Sequence, residues 1–284
     1  MTTNELYRLY LKELKQIYSE SEASNITRLI FESFGNISRA DIIKTPETLI
    51  SQALELQLNE SLQSLLQHKP VQYIIGEAWF YQLKFKVTNA VLIPRPETEE
   101  LVDEVINFLK QSPNKKVLDI GTGSGCIPIA IKKNMPFANV TSIDISENAI
   151  AIAKENKERN NVEINFIQMD FLNDKEWNKL ELYDVVVSNP PYIPELEKAT
   201  IENNVKMYEP HNALFVPDMK PLIFYEAILN FCKIHLTETG KIFMETHENY
   251  ANEVCQLFLN NGFVAEIKKD LNDKQRMVMA THYR

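Results

Sequence analysis

From residue 115 to the C-terminal region, short apolar runs alternate with helix-length amphipathic segments, and this alternation constrains the chain more than any other feature. "KKVLDI" (115–120), "NVTSID" (139–144), "EINFIQ" (163–168), "YDVVVSN" (183–189) and "KIFMET" (241–246) predict strands. Between them, "CIPIAIKKN", "SENAIAIAKENKERN", "PLIFYEAILNFCKIHL" and "NYANEVCQLFLNN" predict helices. Strands joined by helices run parallel, and the helices cover both faces of the sheet. Two further strands, near 263–269 and 276–282, are separated only by "DLNDKQ", which is too short for a crossover. They are therefore expected to pair antiparallel.

Residues 1–70 predict a small helical domain. Thr2 and Glu5 form a capping-box pattern, and Leu6, Leu9, Tyr10, Leu14 and Ile17 recur at helical spacing. "ITRLIFESFG" predicts a second helix ended by Gly35, and Pro70 closes the helical region. Residues 71–95 read as a β-hairpin connector. In "FYQLKFKV", Leu83, Phe85 and Val87 face one way and Lys84 and Lys86 the other, and "AVLIP" predicts another strand. From 96 to 284 the chain is expected to form one catalytic domain, opened by a helix with Pro96 in its first turn.

The chemistry-bearing residues fall at strand ends. "LDIGTGSG" (118–125) is a strand followed by a glycine-rich turn, Gly121-Thr122-Gly123-Ser124-Gly125, that opens a helix. Such a turn lets a ligand approach the backbone closely, or is simply a tight βα connection. It matches neither the dinucleotide fingerprint nor the P-loop, which requires Gly-Lys-Ser/Thr. Asp144 ends the next strand, where a carboxylate either accepts from two ribose hydroxyls or caps the following helix. Asp170 and Phe171 follow the third strand, an acceptor for an adenine amino group beside a ring that can pack on the base. The fourth ends in Asn189-Pro190-Pro191-Tyr192. Consecutive prolines cannot continue a strand, so the run stops in a rigid turn that presents an amide and an aromatic ring.

This order of strand ends resembles the class I S-adenosylmethionine-dependent methyltransferases, and "NPPY" (189–192) resembles the motif of those that methylate a planar NH₂ group. The resemblance implies a Rossmann-like, seven-stranded, mostly parallel sheet with S-adenosylmethionine at Gly121–Gly125, Asp144, Asp170, Phe171 and Asn189. An amide nitrogen is a poor nucleophile because its lone pair is delocalised. It needs both N–H bonds held by acceptors and its lone pair aimed at the methyl group. Asn189 and Pro190 can supply those acceptors, Pro191 stiffens the backbone, and Tyr192 offers a flat wall.

"VQYIIGEAWFYQLKFKVTNAVLIPRPETEELV" (71–102), with its "IPRPETE", is similar to the segment preceding the catalytic domain in the protein glutamine N5-methyltransferases of the PrmC/HemK family. "YEPHNALF" (208–215) and "DKQRMVMA" (273–280) resemble family segments as well. The resemblance implies a small N-terminal helical domain and, as substrates, peptide chain release factors 1 and 2, methylated on the glutamine of their Gly-Gly-Gln motif. Arg95 and Glu97 are expected near the mouth of the cleft, either touching substrate or cofactor or tying the connector down by a salt bridge. The chain departs from the family at Met169, where Gly is usual, at "METHEN" (244–249), at "VPDMKPL" (216–222) and at Pro128. His211 and His247 read as loop residues in preference to bases.

The formal net charge of -9 argues against stable nucleic-acid binding. It leaves two alternatives to weigh, an adenine-N6 methyltransferase acting on nucleic acid and a release-factor-binding module without catalysis. Cys126, Cys232 and Cys255 fit neither a zinc site nor a disulfide framework. The N-terminal segment carries charges throughout and has no apolar core of a signal peptide, so a soluble cytoplasmic protein that neither enters nor binds a membrane is expected.

Overall fold

The computed structural model describes residues 1–112 and 114–283. The chain divides into two compact units, Met1–Glu77 with Glu202–Tyr208, and Ala78–Ile201 with Glu209–Arg284.

The first unit is helical, with α1 (Thr3–Leu14), α2 (Glu20–Gly35), α3 (Arg39–Lys44), α4 (Gln52–Leu66), α5 (Val71–Ile75) and a short returning helix, Asn203–Tyr208. The Thr2–Glu5 capping box starts α1 as expected. α2 begins earlier than its apolar run, because Ser19 caps it, and it ends through Asn36 in the left-handed region one residue after Gly35. The core is Leu6, Tyr10, Leu14, Phe31, Leu58 and Leu65, all fully buried. Tyr10 meets Phe31 edge-on at 5.3 Å, and its hydroxyl donates to the Leu58 carbonyl.

The second unit opens with the hairpin β1 (Glu77–Phe80) and β2 (Leu83–Lys86). Its turn holds Tyr81 and Gln82 at φ of 50° and 60°, the conformation of a two-residue hairpin loop. "AVLIP" forms no strand; Val91 and Ile93 are buried in irregular backbone instead. α6 (Pro96–Leu109) follows, with Pro96 in its first turn.

The central sheet comprises β3 (Lys116–Ile120), β4 (Asn139–Asp144), β5 (Asn165–Gln168), β6 (Tyr183–Ser188), β9 (Leu236–Glu245), β10 (Phe263–Lys269) and β11 (Gln275–His282); β7 (Ile193–Pro194) and β8 (Phe215–Val216) form a separate small pair. The order is β10-β11-β9-β6-β3-β4-β5, with β11 antiparallel to both neighbours and the rest parallel. Strand order reverses at β3, which has β4 on one side and β6 on the other. Crevices for ligands form at such reversals, beyond the carboxyl ends of the strands.

Apolar clusters lie on both faces of the sheet. One gathers α6 and α7 (Cys126–Asn134) around Val117, Val185 and Phe243; the other gathers the helices Ile223–His235 and Ala251–Leu259 around Leu118, Val186 and Met244. Cys126, Cys232 and Cys255 are buried thiols within these clusters. Among the described residues, no helix is long and apolar enough to cross a membrane.

Candidate active site

Strand register brings the sequence-predicted residues to one level. Ile120 pairs with Ile143 on one side and Ser188 on the other, so Gly121, Asp144 and Asn189 emerge side by side. Asp144 pairs with Gln168, which sets Met169 and Asp170 next along the edge. A cavity of about 230 Å³ opens there, lined by Gly121, Gly123, Asp144, Asp170, Asn189 and Pro190 among others. Its apolar wall includes Ile143, Ile145, Met169, Phe171 and Leu172, and Leu92 and Pro210 contribute from the loops.

The glycine turn is shaped by three left-handed residues, Gly121, Gly123 and Gly125, at φ of 80°, 54° and 82°. A Cβ at Gly121 or Gly123 would meet nothing within 4 Å, so both leave open space on the cavity side. Gly125 differs: a Cβ there would lie 3.1 Å from Ala153 Cβ, and the residue lets the start of α7 approach α8 (Glu147–Asn160). Thr122 and Ser124 are buried and do not line the cavity, so their side chains shape the loop from beneath. Asn156, which the sequence reading passed over, braces this loop. Its Nδ2 donates to the Ser124 and Lys86 carbonyls, both at 2.9 Å, and its Oδ1 accepts from the Lys86 amide at 2.6 Å.

Asp144 is not a helix cap, since Ser146 caps α8. Its Oδ2 accepts from Gly123 N–H at 2.9 Å and its Oδ1 from Ser146 N–H at 2.8 Å. Each oxygen retains acceptor capacity toward the cavity. Burial raises the Asp144 pKa, and the backbone hydrogen bonds oppose the rise. Beneath it, Asp119 is fully buried; Ser142 donates to its Oδ2 at 2.6 Å, and burial pushes its pKa up to about 7. Asp170 Oδ1 accepts from Leu172 N–H at 3.0 Å. The Phe171 ring is largely committed to the core, in contact with Trp177 and Phe231 at 5.5 and 5.4 Å. The more exposed apolar neighbour on the cavity wall is Leu172.

Asn189 Nδ2 donates to Thr98 Oγ1 at 3.1 Å, and Thr98 Oγ1 donates to Glu245 Oε2 at 2.6 Å. Glu245 ends β9, and its place follows from register: Ser188 pairs with Met244, so residues 189 and 245 leave adjacent strands together. Pro190 and Pro191 line the cavity, whereas Tyr192 does not. The Tyr192 ring, partly buried, packs against the core and its hydroxyl donates to Glu245 Oε1 at 3.2 Å, so it braces the carboxylate. Burial raises the Glu245 pKa, opposed by the hydrogen bonds from Thr98 and Tyr192 and by the Arg276 charge.

Arg95 pairs with Glu209 at 2.6 Å, and Glu209 also accepts from Ile93 N–H at 3.2 Å. Glu209 precedes Pro210 of the cavity wall, so Arg95 sits at the rim as an ion-pair partner. Glu97 lies in the first turn of α6 and does not line the cavity. His247 pairs with Glu197 at 3.4 Å and His211 lies edge-on to Phe215; neither lines the cavity.

Two family models match the chain: "PrmC N-terminal domain" over residues 5–76 and "Methyltransferase small domain" over residues 102–208. The release factor glutamine methyltransferase of Flavobacterium psychrophilum is 39% identical over 273 residues, covering 95% of each chain. That of Bacteroides thetaiotaomicron is 37% identical, covering 95% of this chain and 97% of its own. Among solved structures, a methyltransferase from Pyrococcus furiosus superposes with a TM-score of 0.50 at 19% identity, covering 79% of this chain and 98% of its own, and shares its class I methyltransferase fold. With this identity sustained over nearly its full length, the chain belongs to the release factor glutamine methyltransferase family.

Proposed function

We propose that the chain transfers a methyl group from S-adenosylmethionine to the side-chain amide nitrogen (N5) of the glutamine in the Gly-Gly-Gln motif of release factors 1 and 2. The observation that carries this reading is the setting of Asn189. Its NH₂ is held by Thr98, and its Oδ1 has no hydrogen-bond partner among the described residues. It lines the same cavity as the glycine turn and Asp144.

The cavity suits the cofactor. Gly121 and Gly123 leave room for a ligand against the backbone, Asp144 offers a carboxylate for ribose hydroxyls, and Ile143, Ile145 and Leu172 give an apolar wall for a base. Asp170 and Phe171 complete the neighbourhood of that ligand, and Gly125 closes the turn behind it. S-adenosylmethionine, when bound, supplies an electrophilic methyl group. The protein's part is positioning and electrostatics. Asn189 Oδ1 and the Pro190 carbonyl accept the two N–H bonds of the substrate amide. Those acceptors would stabilise the charge that appears on nitrogen as the N–CH₃ bond forms and the S–CH₃ bond breaks to leave S-adenosylhomocysteine, and the proton that nitrogen then sheds would pass to water. No strong base is required, in keeping with the absence of His211 and His247 from the cavity wall.

The test is mass spectrometry of purified release factor after incubation with the protein and S-adenosylmethionine. A gain of one methyl group on the Gly-Gly-Gln glutamine is expected. Methyl transfer to DNA alone would move the reading to an adenine-N6 methyltransferase, which the net charge of -9 opposes. No transfer to either would favour a binding module. The proposed reaction belongs in the cytoplasm, with the release factor as protein partner and no lasting contact with nucleic acid.

A further inference from the structure

A carboxamide held by a single hydrogen bond can present either end to a cavity. An Asn that must accept from a substrate NH₂ is useful only with its oxygen outward. We infer that Glu245 and Thr98 set the polarity of Asn189, acting as positioning residues that force its Oδ1 toward the cavity; this rests on the amide-methylating reading above.

The argument follows the hydrogens. Thr98 has one hydroxyl hydrogen, and its Oγ1 lies 2.6 Å from Glu245 Oε2, an acceptor. With Glu245 ionised, that hydrogen is committed to the carboxylate, and the Thr98 oxygen meets Asn189 with a lone pair only. A lone pair can be met by NH₂ and not by an amide oxygen. The 3.1 Å contact from Asn189 Nδ2 is the orientation this requires. Without Glu245 the Thr98 hydroxyl could rotate and donate to Asn189 Oδ1. The amide could then turn its NH₂ to the cavity, where it would face the substrate NH₂ donor against donor.

Glu245 is itself held in place. Tyr192 donates to its Oε1 at 3.2 Å, which leaves Oε2 for Thr98, and Tyr225 donates to its main-chain carbonyl at 3.0 Å. Thr98 and Glu245 are 2% and 3% exposed, so water does not compete for these bonds. Tyr192 thereby gains a role consistent with its absence from the cavity wall.

The isosteric variant Thr98→Val is the main test, since it removes the hydroxyl and keeps the packing. In it, kcat for release-factor methylation is expected to fall at least about tenfold, while the calorimetric Kd for S-adenosylmethionine stays within about twofold. Thr98→Ser, which keeps the hydroxyl, should retain most of the rate, whereas Glu245→Gln, whose NH₂ can face Thr98 and release its hydrogen toward Asn189, should fall between wild type and Thr98→Val. A second readout does not depend on activity. With ¹⁵N-asparagine labelling, the side-chain NH₂ signals of Asn189, assigned by their loss in Asn189→Asp, should shift and exchange faster with solvent in Thr98→Val. An unchanged kcat in Thr98→Val, an unmoved Asn189 signal, or a Thr98→Ser enzyme as slow as Thr98→Val would each overturn the inference. If wild-type protein methylates no release factor while the Asn189 signal still responds to Thr98→Val, the substrate reading fails and the polarity assignment stands.

Discussion

Asp144→Ala separates a proposed cofactor contact from a loop brace, because the carboxylate braces the loop and also lines the cavity. Its two oxygens accept from Gly123 and Ser146 at 2.9 and 2.8 Å. A hydrogen bond to a charged group contributes about 1.5–3 kcal/mol. In the free protein both released N–H groups border the cavity and can turn to water, so the stability lost should stay near the lower end, about 1–2 kcal/mol. Binding is different, because a ligand covering the cavity excludes that water and would lose its own bond to the carboxylate. An affinity loss of about 1.5–3 kcal/mol follows, or roughly 10- to 150-fold in Kd for S-adenosylmethionine. Asp144→Asn should fall between, since one oxygen can serve only one of the two N–H groups and its NH₂ opposes the other. Burial raises the Asp144 pKa, so wild-type affinity should begin to fall on the acid side at a higher pH than an ordinary aspartate would give. Isothermal titration calorimetry decides the matter. An Asp144→Ala protein that melts earlier but binds with unchanged Kd would show that the carboxylate only ties the loop.

Three other outcomes are expected. Asp119 is pushed from an ordinary 3.8 to about 7, so its folded pKa lies above its unfolded one; its contribution to stability is complete below pH ~4 and is lost as pH rises through 7. Asp119→Asn should therefore gain on wild type as pH rises, by at most about 4 kcal/mol at pH 8, and a pH-independent gap in denaturant midpoints would refute the assignment. Arg95→Ala leaves Glu209, whose side chain is 1% exposed, without its cation and should cost about 3 kcal/mol, more than Arg95→Lys, which keeps a cation within reach; urea unfolding that showed no loss in Arg95→Ala would contradict the burial argument. Asn189→Ala should slow methyl transfer about 10²–10³-fold with cofactor affinity nearly unchanged, and a loss confined to KM would mean the amide binds substrate without favouring the transition state.

The strands and most of the strand-end residues were legible because each is a local signal. An apolar run that stops at a polar residue is visible within a few positions, as at Ile143-Asp144 and at Val187 before Ser188-Asn189. "AVLIP" misled because the same local signal is produced by a buried loop. Ile93 N–H finds its acceptor in the Glu209 carboxylate, 116 residues away, in place of a neighbouring strand. Phe171 and Tyr192 show a related limit. Both aromatic rings could serve a ligand by residue type, yet Trp177 and Phe231 engage the first and Glu245 the hydroxyl of the second. Asn156 left no trace in the sequence reading, since a polar residue on a helix is ordinarily taken as solvent-facing, and only the packed hairpin turns it into a brace.

Glu245 was within reach by one further step. Once β6 and β9 are taken as parallel neighbours, the residues that end them lie at the same level, as Ser188 and Met244 do. A carboxylate at the end of a buried strand next to a carboxamide is then a constraint on that carboxamide. It accepts only, so whatever stands between them must donate toward it and receive from the other side. Thr98 is that intermediary, and it comes from the first turn of α6, just beyond Arg95 and Glu97. The "IPRPETE" segment therefore reaches Asn189 through its threonine. Its arginine fixes the approach of the loop by pairing with Glu209, and its proline starts the helix on which Thr98 is carried. The motif's position before the sheet and the strand-end Asn189 are joined by the direction in which two hydrogens point, from Asn189 to Thr98 and from Thr98 to Glu245.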